Sequence, residues 1–266
     1  MKRLLGRISA EGIRQDSTFV CNICAASCFV PLEELDREVV SCSACGSTPR
    51  FRAVVSVLSQ ELFGTQLPLP DFPRRTDLVG LGMSDWAGYA RPLARRLSYT
   101  NTFLDRSPRL DVTQPHPQFG GTFDFIVASE VFEHVVAPVE KAFANTLEML
   151  KPGGFLLLTV PFTLGARNKE HYPDLFDYQL MDFNGEKVLV NRTATGRWEV
   201  FEKPVFHGGE GLTLEMRVFC RDGLVHSLMQ AGFGDIRFVG GAPEFGARWP
   251  EPYSLPVVAR KLPAGR

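Results

Sequence analysis

Four cysteines stand as two pairs early in the chain: Cys21-Asn22-Ile23-Cys24, then 17 intervening residues, then Cys42-Ser43-Ala44-Cys45-Gly46. A CxxC unit brings two thiolates onto one short turn, and two such turns close a tetrahedron around zinc. Cys21, Cys24, Cys42 and Cys45 are therefore the expected ligands of a structural Zn²⁺. Four thiolates fill the coordination shell, which argues against a catalytic metal. Cys28 stands beside them as an alternative ligand, and Cys220, in an apolar helical context, reads as a core residue.

A second set of residues lies in the run Phe123-Asp124-Phe125-Ile126-Val127-Ala128-Ser129-Glu130-Val131-Phe132-Glu133-His134-Val135 and its sequel Lys151-Pro152-Gly153-Gly154-Phe155 to Pro161. The order is buried strand, polar tip, helix, sharp stop, buried strand, which is half of a doubly wound parallel sheet with a crevice at its strand ends. Ser129 and Glu130 at the tip are expected to line that crevice. His134 follows one turn later, and an imidazole that titrates near neutrality can take a proton from a hydroxyl. Further on, His207 precedes a glycine-rich run, and Arg217 closes Leu214-Glu215-Met216-Arg217. His134, His207 and Arg217 are the candidate catalytic residues.

The elements that must position these groups follow from periodicity. Between the cysteine pairs there is no room for a separate core, so a metal has to organise residues 19–48. Apolar residues at helical spacing (Val54, Val57, Leu58, Leu62) predict a connecting helix from Pro49 to Gly64. Thr76 to Gly82 predicts a first buried strand, Tyr89 to Leu97 a helix, Tyr99 to Leu104 a second strand closed by Asp105, and Leu110 to Thr113 a short third strand. Phe123 to Ser129 and Phe155 to Val160 are the fourth and fifth strands, flanking a helix striped by Val139, Ala142, Phe143, Leu147 and Leu150. Asn184-Gly185 and Ala194-Thr195-Gly196 mark hairpins between Tyr178 and Phe206. Arg221 to Ala231 predicts a last helix, with final strands at 236–239 and 255–260. The expected architecture is α/β: a doubly wound, seven-stranded Rossmann-like sheet with a small N-terminal zinc ribbon and a β-rich insertion. Residues 1–64 hold the ribbon and connecting helix, residues 65–266 the larger domain, and the insertion spans about residues 165–217.

The block from Phe123 to Val160 resembles class I S-adenosylmethionine-dependent methyltransferases of the methyltransferase type 11-like kind, whose fourth strand commonly reads FDxVxxxxVxEHV and whose fifth follows KPGG. With the CxxC/CxxC head and Cys45-Gly46-Ser47-Thr48-Pro49-Arg50-Phe51-Arg52, the chain is similar to members carrying an N-terminal zinc ribbon. The resemblance implies S-adenosyl-L-methionine as cofactor, held by a glycine-rich loop after the first strand and by carboxylates after the second and third. It places Gly80, Gly82, Ser84 and Asp85 in the loop, Asp105 at the ribose, Asp111 at the adenine, and Ser129 and Glu130 along the crevice. Gly82 matches the first family glycine, whereas Ser84 and Trp86 stand at the next two, and Asp85 offers a carboxylate to the cofactor's amino group.

The 266 residues carry a formal net charge of -1, with 44% hydrophobic residues, enough for a well-buried core and without the basic surface that nucleic acid demands. The first residues lack a signal peptide's apolar stretch and no run approaches a membrane span, so a cytoplasmic protein without membrane partners is expected. The leading expectation is methyl transfer to a small-molecule or glycan-like acceptor. An RNA methyltransferase gripping its substrate with the ribbon is the alternative, favoured if Arg50, Arg52, Arg74 and Arg75 form one face; a non-catalytic cofactor-binding scaffold is a third.

Overall fold

The computed structural model describes residues 16–207, 213–249 and 254–263. The basic start of the chain and the glycine-rich run after His207 lie outside the described residues. The cysteine-rich head opens with an antiparallel hairpin, β1 (Asp16–Val20) and β2 (Ser27–Pro31), whose connection carries the first cysteine pair. The second pair leads into α1 (Pro49–Phe63). Thr48 caps this helix by accepting from the Phe51 N–H at 3.4 Å, Pro49 takes its first position, and Gly64 closes it in the left-handed region.

The larger unit runs β3 (Arg75–Met83), α2 (Ala87–Arg96), β4 (Leu97–Thr102), β5 (Phe123–Ser129), α3 (Val139–Met149) and β6 (Leu150–Thr159). Two short strands follow, β7 (Phe162–Thr163) and β8 (Lys169–Glu170), then the hairpins β9 (Asp177–Phe183), β10 (Glu186–Arg192) and β11 (Trp198–Phe201). β12 (Phe206–His207), β13 (Thr213–Leu214), β14 (Arg217–Cys220), α4 (Arg221–Gln230), β15 (Gly234–Phe238) and β16 (Val257–Arg260) complete the described chain. The main sheet has the order β15-β16-β6-β5-β3-β4, parallel from β6 to β4 and antiparallel at β16 and β15. Among the described residues, no helix is long and apolar enough to cross a membrane.

Both faces of the sheet are covered, which is why Phe125 to Ala128 of β5 reads as an unbroken apolar run. Leu81, Ile126, Leu156 and Leu158 pack with Phe143 of α3 and Leu224 and Leu228 of α4. Phe125, Val127, Phe155 and Leu157 pack on the other face with Val54, Val55 and Leu58 of α1, Tyr89 and Leu93 of α2, and Cys21 and Cys42 of the head. The head and the sheet thus share one core. The FD and KPGG signatures are joined physically: Asp124 accepts from Lys151 Nζ at 2.7 Å and from the Val79 N–H at 2.8 Å. A side chain at Gly154 would come within 2.9 Å of the Asp124 carbonyl.

The doubly wound α/β class is as expected, but the sheet has six strands among the described residues rather than seven. Leu110 to Thr113 forms a turn instead of a third strand, because the Asp111 carboxylate accepts from the Thr113 N–H at 3.0 Å and its hydroxyl at 2.6 Å. Only an isolated bridge, Phe103 to Arg109, links this stretch to the end of β4.

Gly80 of β3 faces the helix-covered core so closely that a Cβ there would lie 2.2 Å from Phe125 Cζ. The Gly80→Ala protein is expected to lose about 1–3 kcal/mol in denaturant unfolding. Phe125→Leu should recover part of that loss only in the Gly80→Ala background, and additive losses in the double variant would contradict the packing account.

Candidate active site and metal centre

The two cysteine turns are built alike. Ala25 and Gly46, each following a pair, adopt positive φ of 62° and 77°, and their N–H groups donate to the Cys21 and Cys42 carbonyls at 2.8 Å. The four Sγ atoms converge: Cys21 to Cys45 and Cys24 to Cys42 both measure 3.7 Å, and all four lie within 4.8 Å of one another. A tetrahedral zinc with Zn–S of ~2.3 Å separates its sulfurs by ~3.8 Å, whereas a disulfide requires ~2.05 Å, so the donor set fits the metal and not a pair of bridges. Cys28 is outside this group and turns its thiol to the Ala26 carbonyl.

At the carboxyl ends of β3, β4 and β5 lie two adjoining hollows that share Ser84 and Phe103. The first, about 280 Å³, is lined by Met83, Leu110, Asp111, Val112, His134 and Tyr178 among others. The second, about 630 Å³, is bordered by Asp85, Asn101, Asp105 and residues of α2. An apolar hollow with a few carboxylates and hydroxyls on its rim is the form a small-molecule site takes. Tyr178 comes from β9, so the hairpin insertion forms one wall.

Beside the first hollow, His134 ends a 3₁₀ turn (Phe132–His134) that is held from the insertion. Its Nδ1 lies 2.8 Å from the Leu214 carbonyl, an acceptor only, so Nδ1 carries the proton and Nε2 presents a lone pair. Burial lowers the His134 pKa, which favours the neutral ring. The His207 ring lies 5.6 Å away, its Nε2 3.3 Å from Glu130 Oε2 and its Nδ1 3.3 Å from Glu215 Oε2. These two carboxylates raise its pKa. Glu130 itself stays well below the ordinary carboxylate range: burial alone would raise it, but His207 and Arg37 outweigh that cost.

Residues 80–194 match the family model described as a methyltransferase domain. Over that stretch the chain is similar to a methyltransferase domain. The resemblance of the Phe123–Val160 block to S-adenosylmethionine-dependent enzymes of this class is thereby borne out. A comparison with curated proteins returns no match. Among solved structures, the chain is similar to the 1,6-didemethyltoxoflavin N1-methyltransferase of Burkholderia thailandensis (14% identity, 79% of this chain and 77% of that one, TM-score 0.43). It is also similar to DesVI of Streptomyces venezuelae (15%, 80% and 92%, TM-score 0.43). A third likeness is to the citrinin polyketide synthase CMeT domain (16% identity, 72% of this chain, TM-score 0.40), of which the chain spans 47%.

Within residues 80–194, the loop after β3 departs from glycine in a way the fold accommodates. Ser84 adopts a positive φ of 58° and donates its N–H to the Thr102 carbonyl at 2.7 Å, so a serine holds the turn that glycine holds elsewhere. Trp86 stacks on Phe51 of α1 with centroids 4.6 Å apart, and the Arg50 guanidinium lies over the Phe51 ring at 4.6 Å from its centroid. The glycines have another purpose than close approach to a ligand: a Cβ on Gly82 would lie 2.0 Å from Tyr99 Oη, inside the core.

Several expected residues sit elsewhere than foreseen. Arg217 is fully buried and does not face the hollow: its guanidinium donates to the Phe132 and Val135 carbonyls at 2.8 and 2.6 Å and to Glu170 at 2.7 Å. It clamps the turn that carries His134. Asp105 stands in an exposed loop three residues past β4, on the second hollow, while Asp111 faces the first. Ser129 and Glu130 are engaged by the head: Arg50 donates to Ser129, and Arg37 Nη2 to Glu130 Oε1 at 2.6 Å. The sequence does not mark Arg37 and Tyr178 as site residues; they reach the site through tertiary contacts.

Asp85 is buried rather than open to a ligand's amino group, and its carboxylate accepts from Tyr99. Burial raises its pKa from 3.8 to about 7. The folded state then holds the proton more tightly than the unfolded chain, so this group's stabilisation is complete below about pH 4 and is lost as pH rises through 7. Asp85→Asn, which leaves Tyr99 an acceptor, should flatten that part of the profile. Between about pH 4 and 8 the variant's melting temperature should fall less than the wild type's; parallel profiles would contradict the assignment.

Proposed function

We propose that this chain transfers a methyl group from S-adenosylmethionine to a nucleophilic heteroatom of a small-molecule or glycan-like acceptor, and that zinc in the four-cysteine centre is structural. The observation that carries the reading is the pair of adjoining hollows at the strand ends, the first of them lined by His134, whose Nε2 is unprotonated. Asp105 and Asp111 are the carboxylates available to a ribose and an adenine. When bound, the cofactor supplies a methyl group on a good leaving group, so the protein's tasks are positioning, exclusion of water and, for an oxygen acceptor, removal of a proton. Tyr178 and the insertion cover the acceptor side. His134 holds its lone pair there because the Leu214 carbonyl fixes the tautomer, and Arg217 fixes the turn that carries the ring.

The arginines that would favour an RNA substrate do not form one face. Arg52 is fully buried and donates to Ser41, Ser47 and Gly246. Arg50 is bound to Glu38 and Ser129, and Arg75 to Asp77. A small, largely enclosed acceptor suits the insertion-covered cleft better.

Calorimetric titration of the purified chain with S-adenosylhomocysteine tests the reading. Binding is expected, weakened by about tenfold or more, or 1.4 kcal/mol, in Asp105→Ala and Asp111→Ala. No binding by the folded wild type, or equal affinity in both variants, would overturn it.

A further inference from the structure

Behind His134 lies a cluster of groups whose bonding is incomplete. Glu133 is 0% exposed and neither of its carboxylate oxygens has a hydrogen-bond partner. Glu130 Oε2 is likewise buried without a hydrogen bond, although His207 Nε2 stands 3.3 Å from it. One donor atom from each of Glu130, Glu133 and His207 lies within 4.8 Å of the other two. Buried carboxylate oxygens are ordinarily paired, and an unpaired oxygen from each of two buried glutamates beside an imidazole nitrogen forms the donor set of a cation.

We propose that Glu130, Glu133 and His207 bind a divalent cation of the Mn²⁺ class, separate from the four-cysteine centre. The donors are mixed: hard carboxylate oxygens suit Mg²⁺, Ca²⁺ and Mn²⁺, imidazole suits the later transition metals, and Mn²⁺ accepts both. No thiolate is among them, so the ribbon and this site select different ions. Glu130 divides its two oxygens, Oε1 to Arg37 and Oε2 to the cluster, and Arg37 thereby orients the ligand. Glu215 orients the imidazole from its other nitrogen at 3.3 Å. The site borders His134, whose Nε2 is 3.8 Å from Glu133 Oε1. On the functional reading above, on which only this clause rests, the ion would orient an acceptor oxygen beside the base.

The test is a titration of the zinc-loaded full chain with Mn²⁺, following the free-ion signal by electron paramagnetic resonance, with no cofactor or acceptor present. One Mn²⁺ per chain is expected to lose its free signal, with affinity at least about tenfold weaker in the near-isosteric Glu133→Gln. Glu130→Gln serves as the second variant should the first fail to fold, and each must retain its zinc and a cooperative melt. Mn²⁺ should also raise the wild-type melting temperature and leave the variant's unchanged. If the folded wild type leaves all Mn²⁺ free, or if folded Glu133→Gln binds it as tightly, the proposal is overturned. Because homocysteine-nucleoside binding is read in a separate experiment without Mn²⁺, that failure would leave the methyltransferase reading standing.

Discussion

Two arginines from the cysteine-rich head reach the tip of the central strand, and the site is arranged around that contact. Arg37 donates to Glu130 at 2.6 Å and Arg50 to Ser129, whose hydroxyl lies 2.9 Å from that of Thr159 on the neighbouring strand. Charge-assisted bonds at partly buried positions hold geometry better than exposed pairs do. Arg37 follows β2 in the loop that leads to the second cysteine pair, and Arg50 lies in the first turn of α1, directly after that pair. Their positions depend on the two cysteine turns, and on Arg52, buried among the second turn's carbonyl and hydroxyls. The cysteine-rich head is therefore one wall of the strand-tip site, and whatever orders the two cysteine turns bears on that site through packing.

The insertion supplies the opposite wall by the same kind of contact. The strand-like segment from Leu214 to Arg217 bonds the turn after β5 at four points: Leu214 to His134, Met216 to Glu133, and Arg217 to Phe132 and Val135. The turn from Glu130 to Val135 is thus gripped from the head on one side and from the insertion on the other. Glu130 adopts a positive φ of 57°, a conformation costly for a non-glycine residue that persists when surrounding contacts impose it.

Much of this was legible in the sequence where the signal is local. The limits of β5, the hairpins around Asn184-Gly185 and Ala194-Thr195-Gly196, and the cysteine turns follow from period, turn chemistry and thiolate spacing. The third strand failed because Leu110 to Thr113 has the apolar content of a strand, while Asp111 draws two hydrogen bonds from Thr113 and turns the chain. Arg217 read as a ligand-facing cation since nothing local shows that two carbonyls 85 and 82 residues away would enclose it. The same distance hid Arg37, which lies 93 residues from its partner Glu130. The loop that looked poor in glycine is supported by Phe51 and Trp86, a pairing visible only once α1 lies against α2.

The dependence of the strand tip on the ribbon is the claim on which this account rests, and hydrogen exchange tests it directly. Exchange would be compared between the zinc-loaded chain, with metal analysis giving one zinc per chain, and the chain stripped of zinc under reducing conditions. Loss of protection in residues 129–135 together with the cysteine turns is the predicted result. Loss confined to the cysteine turns, with residues 129–135 as protected as before, would contradict it.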